Sequence, residues 1–101
     1  MGWLKMFKGY SVSVKYKDFS GEKSFEFKVK DKFYSLLACY EDIAETINLF
    51  CQKSTIYAVN FIIEDYIREN IHTPNKLALM KEFEDINHNY SVKIKVKILK
   101  D

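Results

Sequence analysis

The chain has 101 residues, of which 48% are hydrophobic and 16% aromatic, and it carries a formal net charge of +2 at pH 7. This length and apolar content exclude a disordered chain and predict one domain over residues 1–101, built around a single core. No apolar run is long enough to span a bilayer, and the amino terminus lacks the apolar segment of a signal peptide. A soluble, cytoplasmic protein without membrane contact is therefore expected.

A β-hairpin is predicted between residues 10 and 30. Residues 10–17 and 24–30 each alternate between apolar and polar side chains, as half-buried strands do. With Ser20-Gly21 as a two-residue turn, counting outward places Lys15 opposite Glu26 on the polar face. The same register makes three apolar pairs on the other face: Tyr16 with Phe25, Val14 with Phe27, and Val12 with Val29.

Three helices are predicted after the hairpin. The first covers residues 32–53 behind an N-cap at Asp31, and the third covers residues 73–86 and begins at Thr73-Pro74. Between them, residues 55–69 place apolar side chains at helical spacing, which predicts the second helix. The same stretch also alternates as a strand would, at Tyr57, Val59, Phe61 and Ile63, so a strand is the alternative there.

The final element is a strand over residues 91–99, which alternates between apolar residues and lysines. The element order is then strand, strand, three helices, strand. Because antiparallel pairing is commoner than parallel pairing, the last strand is placed beside the first. This arrangement predicts a two-layer α+β fold, ββαααβ. Its three-stranded antiparallel sheet has the order second, first, last, with three helices on one face and the last strand at an edge.

Charge is unevenly distributed along the chain. Residues 1–32 carry a net charge of +4, residues 33–90 carry −5, and residues 91–101 carry +3. In the predicted fold the sheet is therefore basic and the helical layer is acidic. Seven lysines would share the face of the sheet that points away from the helices, with Glu26 as its only acid: Lys15, Lys17, Lys28, Lys30, Lys93, Lys95 and Lys97.

This basic face has three interpretations. Lysines on a strand can simply keep the sheet soluble and prevent an edge strand from pairing with other chains. They can also follow the phosphates of a nucleic acid, although the aromatic residues that stack on bases have the buried parity here. Finally, they can dock on an acidic protein surface, with Phe19 at the hairpin tip as an apolar anchor.

A second candidate patch lies on the second predicted helix. Tyr57 and Phe61 are four residues apart and would be neighbours on its otherwise polar side. Such a pair commonly packs under an adjacent helix. If it is exposed, it predicts a partner or a second copy of the chain.

One constellation resembles a catalytic set. Glu26 and Lys28 share a strand face, and with Asp18 they are similar to the carboxylates and lysine of metal-dependent nucleases. Asp18, however, is expected in the turn, away from the other two.

The remaining chemistry-bearing residues have structural interpretations. Cys39 and Cys51 are twelve residues apart, which on one helix is about 18 Å, too far for a disulfide. They are expected to pack as small apolar side chains. His72 and His88 are interpreted as loop or capping positions at helix boundaries. Neither a metal nor a cofactor is expected.

The sequence therefore predicts a non-enzymatic protein-binding module, of adaptor or inhibitor type, that docks through the basic face. Abundant Lys, Ile, Asn, Tyr and Phe, whose codons are A/T-rich, favour a bacterial, phage or mobile-element origin. An inhibitor of a host nucleic-acid enzyme or defence system is one concrete version. The alternatives are a non-sequence-specific nucleic-acid-binding protein that uses the same lysines, and a metal-dependent nuclease.

Overall fold

The computed structural model describes residues 6–54, 56 and 59–100 of the chain. These residues form an α+β fold, in which one antiparallel sheet of four strands carries two α-helices on one face. The elements in chain order are β1 (Phe7–Asp18), β2 (Gly21–Phe33), α1 (Leu36–Ser54), α2 (Asn60–Glu69), the 3₁₀ turn Pro74–Lys76, β3 (Met80–Ile86) and β4 (Tyr90–Lys100).

The prediction of a third helix over residues 73–86 is wrong. Thr73-Pro74 does start a helical turn, but it is a 3₁₀ helix of three residues, and the chain then enters β3. β3 pairs antiparallel with β4, which would otherwise expose an unpaired edge. The sheet order is therefore β2-β1-β4-β3, and β4 is an inner strand rather than the predicted edge.

The first hairpin has the predicted faces but a different register. Val14 lies opposite Phe25 and Lys15 opposite Ser24, so the turn consists of Phe19 and Ser20, one residue earlier than predicted. A one-residue move of the turn slips the pairing by two residues, which leaves every side chain on its face. The predicted pair of Lys15 with Glu26 is therefore wrong.

Asp18 explains why the turn forms at this position. One carboxylate oxygen accepts hydrogen bonds from the backbone N–H of Ser20 at 2.8 Å and from the Ser20 hydroxyl at 2.5 Å. The other oxygen accepts the Tyr16 hydroxyl at 3.0 Å. Gly21 follows with a φ of 126°, a conformation that glycine adopts without strain. These contacts favour a turn at Phe19-Ser20 over one at Ser20-Gly21.

A β-bulge interrupts β1 near its start. Phe7 pairs with Lys100 and Gly9 with Leu99, so β1 has one more residue than β4 between these pairs. Strict alternation from Tyr10 would turn Phe7 outward and Lys8 inward, but Phe7 is buried and Lys8 exposed. Gly9 has a φ of 135°, and a Cβ at this position would lie 1.9 Å from the Val29 carbonyl oxygen. The bulge therefore depends on glycine.

The helices bury an apolar side against the inner face of the sheet. α1 begins behind Ser35, whose hydroxyl accepts the Ala38 N–H at 3.0 Å, and not behind the predicted cap Asp31, because β2 continues to Phe33. α2 confirms the helical interpretation for residues 60–69 of the predicted 55–69, while residues 55, 57 and 58 lie outside the described part of the chain. The buried residues of the core come from both layers: Phe7, Tyr10, Val12, Val14, Cys39, Tyr40, Ile43, Ala44, Ile47, Cys51, Ile56, Val59, Ile63, Leu77, Val92, Ile94, Val96 and Ile98.

Two tyrosines tie the helices to the segment that leads into β3. The Tyr40 hydroxyl donates to the Ala78 carbonyl oxygen at 2.7 Å, and the Tyr66 hydroxyl accepts the Ala78 N–H at 2.9 Å. The Tyr66 ring also packs edge-on against Phe83, with 5.1 Å between ring centroids. Lys81 Nζ lies over both rings, 5.0 Å from the centroid of Tyr66 and 5.3 Å from that of Phe83.

Neither helix of the described chain combines the length and the apolar character that crossing a bilayer requires.

Candidate functional site: the outer face of the sheet

We call the side of the sheet opposite the helices the outer face. No helix or strand of the described chain covers it, because α1 packs on the inner face and α2 packs beside α1, with Tyr66 of α2 against Phe83 of β3. Outward positions alternate with buried ones along each strand. The seven lysines singled out in the sequence all lie on this face and are exposed: Lys15, Lys17, Lys28, Lys30, Lys93, Lys95 and Lys97.

β3 changes the charge of the outer face from the prediction. Glu82 lies opposite Lys95 and Glu84 opposite Lys93, so two acids that were assigned to the helical layer stand beside the lysine row. Lys95 Nζ is 3.7 Å from Glu82 Oε1, an exposed ion pair of the kind that adds little stability. The face is therefore a mixed surface near β3, and the expectation of Glu26 as its only acid is wrong.

A trough lies in the middle of the outer face. Its floor is at Ser11 and Ser13, whose short side chains stand between longer ones on both neighbouring strands. It has a volume of about 710 Å³. The side chains around it come from β2, β4 and β3: Glu26, Lys28, Lys95, Lys97, Met80 and Glu82. Met80 is 69% exposed, so an apolar side chain is available at the β3 side of the trough.

The charges are separated along the strand direction. The row that contains Ser11 runs from Lys28 to Lys97 and Met80, and the next row toward the bulge runs from Lys30 through Gly9 to Leu99. These two rows contain no Asp or Glu. All four outward acids of the described strands lie nearer the hairpin turn: Glu22, Glu26, Glu82 and Glu84.

We call the acid-free part of the outer face the lysine end. It includes a second depression, of about 530 Å³, around Leu99. The other residues that line this depression are all lysines: Lys8, Lys28, Lys30 and Lys100. Sequence analysis missed Lys8 and Lys100. The available signal was Gly9, because an isolated glycine within a strand pattern indicates a bulge that can reverse side-chain direction.

The opposite end of the face carries Phe19. This side chain is 90% exposed at the tip of the first hairpin. The turn beneath it is held by Asp18, whose pKa is lowered by the hydrogen bonds from the hydroxyl and N–H of Ser20. Next to the turn, the rings of Tyr16 and Tyr90 stack with 6.0 Å between centroids. Phe19 is therefore an exposed aromatic group on a well-supported turn.

The outward positions of the described strands contain no aromatic residue. Phe25 and Phe27 point to the inner side, where they stack on Phe50 with centroid distances of 5.0 and 5.2 Å. Tyr10 is fully buried, and its hydroxyl donates to Asp42 Oδ2 at 2.5 Å. The rings that could stack on nucleic-acid bases are thus used in packing.

The second predicted patch cannot be assembled from the described residues. Phe61 is 59% exposed on α2, whereas Tyr57 lies outside the described part of the chain. Phe61 alone is one exposed side chain, which is common on protein surfaces.

The residues that resemble a nuclease set, Asp18, Glu26 and Lys28, do not come together at one place. Glu26 lies opposite Ser13, and Asp18 is five residues further along β1, which corresponds to about 16 Å. Within residues 6–54, 56 and 59–100, no group of three or more His, Cys, Asp or Glu side chains could hold a metal ion.

Cys39 and Cys51 are buried, free thiols in the core. Burial, with the nearby Asp42 carboxylate as a smaller cause, raises the pKa of the Cys39 thiol to about 11. Burial also raises the pKa of Cys51. Both groups are therefore protonated near neutral pH, which disfavours nucleophilic chemistry.

Comparison of the chain with protein-family models, with curated proteins and with solved structures found no match.

Proposed function

We propose that the protein is a non-enzymatic binding module that docks its outer face on an acidic surface of a partner protein. The observation that carries the proposal is an uncovered sheet face with a central trough, bordered by Lys28, Lys95 and Lys97 and with Met80 exposed at one side. An apolar side chain within a charged surround is a common composition of protein interfaces.

The composition of the face favours protein over nucleic acid as the partner. Glu26 and Glu82 border the same trough as the lysines, and they would repel phosphates that lie along it. A protein surface can offer carboxylates to the lysines and cations to the glutamates, so it can complement both signs of charge. The single arginine, Arg68, lies on α2 in an ion pair with Asp65 and is remote from this face.

An adaptor or an inhibitor is the class of role that suits a small module of this kind. An inhibitor of a host nucleic-acid enzyme or defence system, encoded by a phage or mobile element, is one version. It is supported by the small size of the domain and by the abundance of residues whose codons are A/T-rich.

The test is capture of partners from a nuclease-treated host lysate on immobilised wild-type protein and on a variant with Lys93, Lys95 and Lys97 changed to Gln. We expect a protein partner that the wild type retains and the triple variant loses, mainly through slower association, because interface charges steer encounter. The matched control changes Lys53, Arg68 and Lys76 to Gln, which lie on α1, α2 and the 3₁₀ turn and not on the outer face. It removes the same charge and should retain the partner.

A non-sequence-specific nucleic-acid-binding protein is the second candidate, favoured by the lysine end. If all captured material disappears on nuclease treatment, and bare nucleic acid binds with a steep salt dependence that the lysine triple variant reduces, this second function replaces the first.

A further inference from the structure

The two ends of the outer face are not equivalent as docking surfaces. We infer that the lysine end binds an extended acidic segment of the partner protein, which lies along β1 over Gly9 and Ser11 between the lysines of β2 and β4. This inference deepens the proposed function and rests on it.

Charge complementarity supports the choice of occupant. In the two rows of the lysine end, Lys28 and Lys30 stand on one side of β1, and Lys97 stands on the other. No carboxylate of the described outer face shares these rows, and Asp31, the next residue of β2, alternates away from them. Carboxylates on the partner therefore meet lysines that have no acid opposite them on a neighbouring strand, whereas Lys93 and Lys95 lie opposite acids of β3.

The shape of the surface supports an extended segment. Gly9 and Ser11 are the outward residues of β1 here, and their small size leaves a shallow channel between β2 and β4. These two strands are about 10 Å apart, because each lies one strand spacing from β1. An α-helix with side chains has a diameter of about 10–12 Å, which is too wide to enter such a channel. An extended chain is narrower and fits within it.

The β-bulge at Gly9 adds a lysine to the end of the channel near Leu99. By reversing the side-chain direction before Gly9, it exposes Lys8 near Lys28, Lys30 and Lys100, around Leu99. Gly9, which permits the close approach of β1 and β2, also provides part of the channel floor. An extended acidic segment with one apolar residue would place that residue on Leu99 and its carboxylates among the lysines.

The test compares two double variants that remove the same charge from different ends. K28Q/K97Q removes one lysine from each side of the channel, and K15Q/K93Q removes a pair of lysines that face each other nearer the hairpin turn. Binding of a fluorescent, glutamate-rich peptide and of an oligothymidylate is measured by anisotropy at low salt. All four residues are exposed, so thermal unfolding should verify that both variants keep the wild-type midpoint.

We expect K28Q/K97Q to weaken peptide binding about tenfold, which corresponds to two charge-assisted contacts of roughly 0.7 kcal/mol each. K15Q/K93Q should weaken it less than about threefold. Amide chemical shifts of the wild type should change on peptide addition at Gly9, Ser11 and Lys97, and much less at Lys15.

Other outcomes would overturn the inference in distinguishable ways. Equal losses in the two double variants would show that the whole face attracts acids without a preferred end, and the proposed function would remain. Absence of peptide binding to the wild type at low salt would remove the inference. Tighter binding of oligothymidylate than of peptide at equal salt would overturn both the inference and the proposed function in favour of nucleic acid.

Discussion

Glu82 and Lys95 lie opposite each other on β3 and β4, with Glu82 Oε1 3.7 Å from Lys95 Nζ. Glu84 lies opposite Lys93 in the same arrangement. The edge strand thus places two carboxylates beside the lysine row and reduces the positive potential on that side of the outer face. These acids affect attraction to a partner more than they affect folding, because exposed ion pairs contribute little stability.

Removal of the two acids should therefore strengthen association. We expect E82Q/E84Q to increase the association rate of an acidic partner severalfold, with a smaller change in the dissociation rate, because charges at the rim of an interface act mainly on encounter. The free energy of unfolding should change by less than about 0.5 kcal/mol. Surface plasmon resonance at two salt concentrations measures the rates. E64Q/E69Q on α2 is the charge-matched control and should change neither rate.

The two glycines with positive φ should respond differently to alanine. Gly9→Ala places a Cβ 1.9 Å from the Val29 carbonyl oxygen, so we expect a loss of about 3 kcal/mol or more in the free energy of unfolding. Gly21→Ala meets no atom within 4 Å and should cost only the conformational strain, about 1–2 kcal/mol. Denaturant titration of both variants measures the difference. Equal losses would show that the bulge does not require the absence of a Cβ.

The two thiols should be protected in the folded protein. Cys39 and Cys51 are buried, and burial raises the pKa of Cys39 to about 11. We expect Ellman's reagent at about pH 8 to react with neither thiol at an appreciable rate, since the thiolate is the reactive form, and to react with both in denaturant. Rapid modification of either thiol under native conditions would mean that α1 opens locally.

Asp18 should make the hairpin sensitive to acid. Its pKa is lowered from the ordinary 3.8, so the carboxylate form favours the folded state. This contribution is fully present above the unfolded value and is lost as the pH falls through the folded value. Asp18→Asn keeps an oxygen that accepts the Ser20 N–H but cannot titrate. The midpoint temperature of thermal unfolding should therefore decrease less steeply for the variant than for the wild type as the pH is lowered from about 5 to about 2. Parallel profiles would contradict the assignment.

The fold was predictable where alternation was clear. β1, β2 and β4 each place apolar side chains at every second position, and that pattern located three strands and their inner faces. β3 was missed because its inward residues are Lys81, Phe83 and Asp85, of which only one is apolar. Charged inward residues are a device that protects edge strands, and they also remove the pattern by which a strand is found.

The outer face was predictable in its lysines but not in its acids or its shape. The alternation of side chains along β4 was enough to assign Lys93, Lys95 and Lys97 to the outer face of the sheet. Glu82 and Glu84 reached the same side through a pairing between β3 and β4 that depends on tertiary contacts. The lysine end required knowledge of the bulge, and a glycine in a strand indicates a bulge without showing which residues it turns outward.

Ala78 links the helical layer to the edge of the sheet, since Tyr40 and Tyr66 hold its carbonyl and its N–H. The sheet is held further by the hydrogen bond from Ile98 N–H to the Leu79 carbonyl oxygen, 2.7 Å long. The start of β3 is therefore tied to both helices as well as to β4. In native-state hydrogen exchange, the amides of β3 and of the two helices should share one opening free energy, as a single cooperative unit does. A subglobal opening that released this unit would leave β4 as the new edge, with Lys93 and Lys95 no longer facing acids.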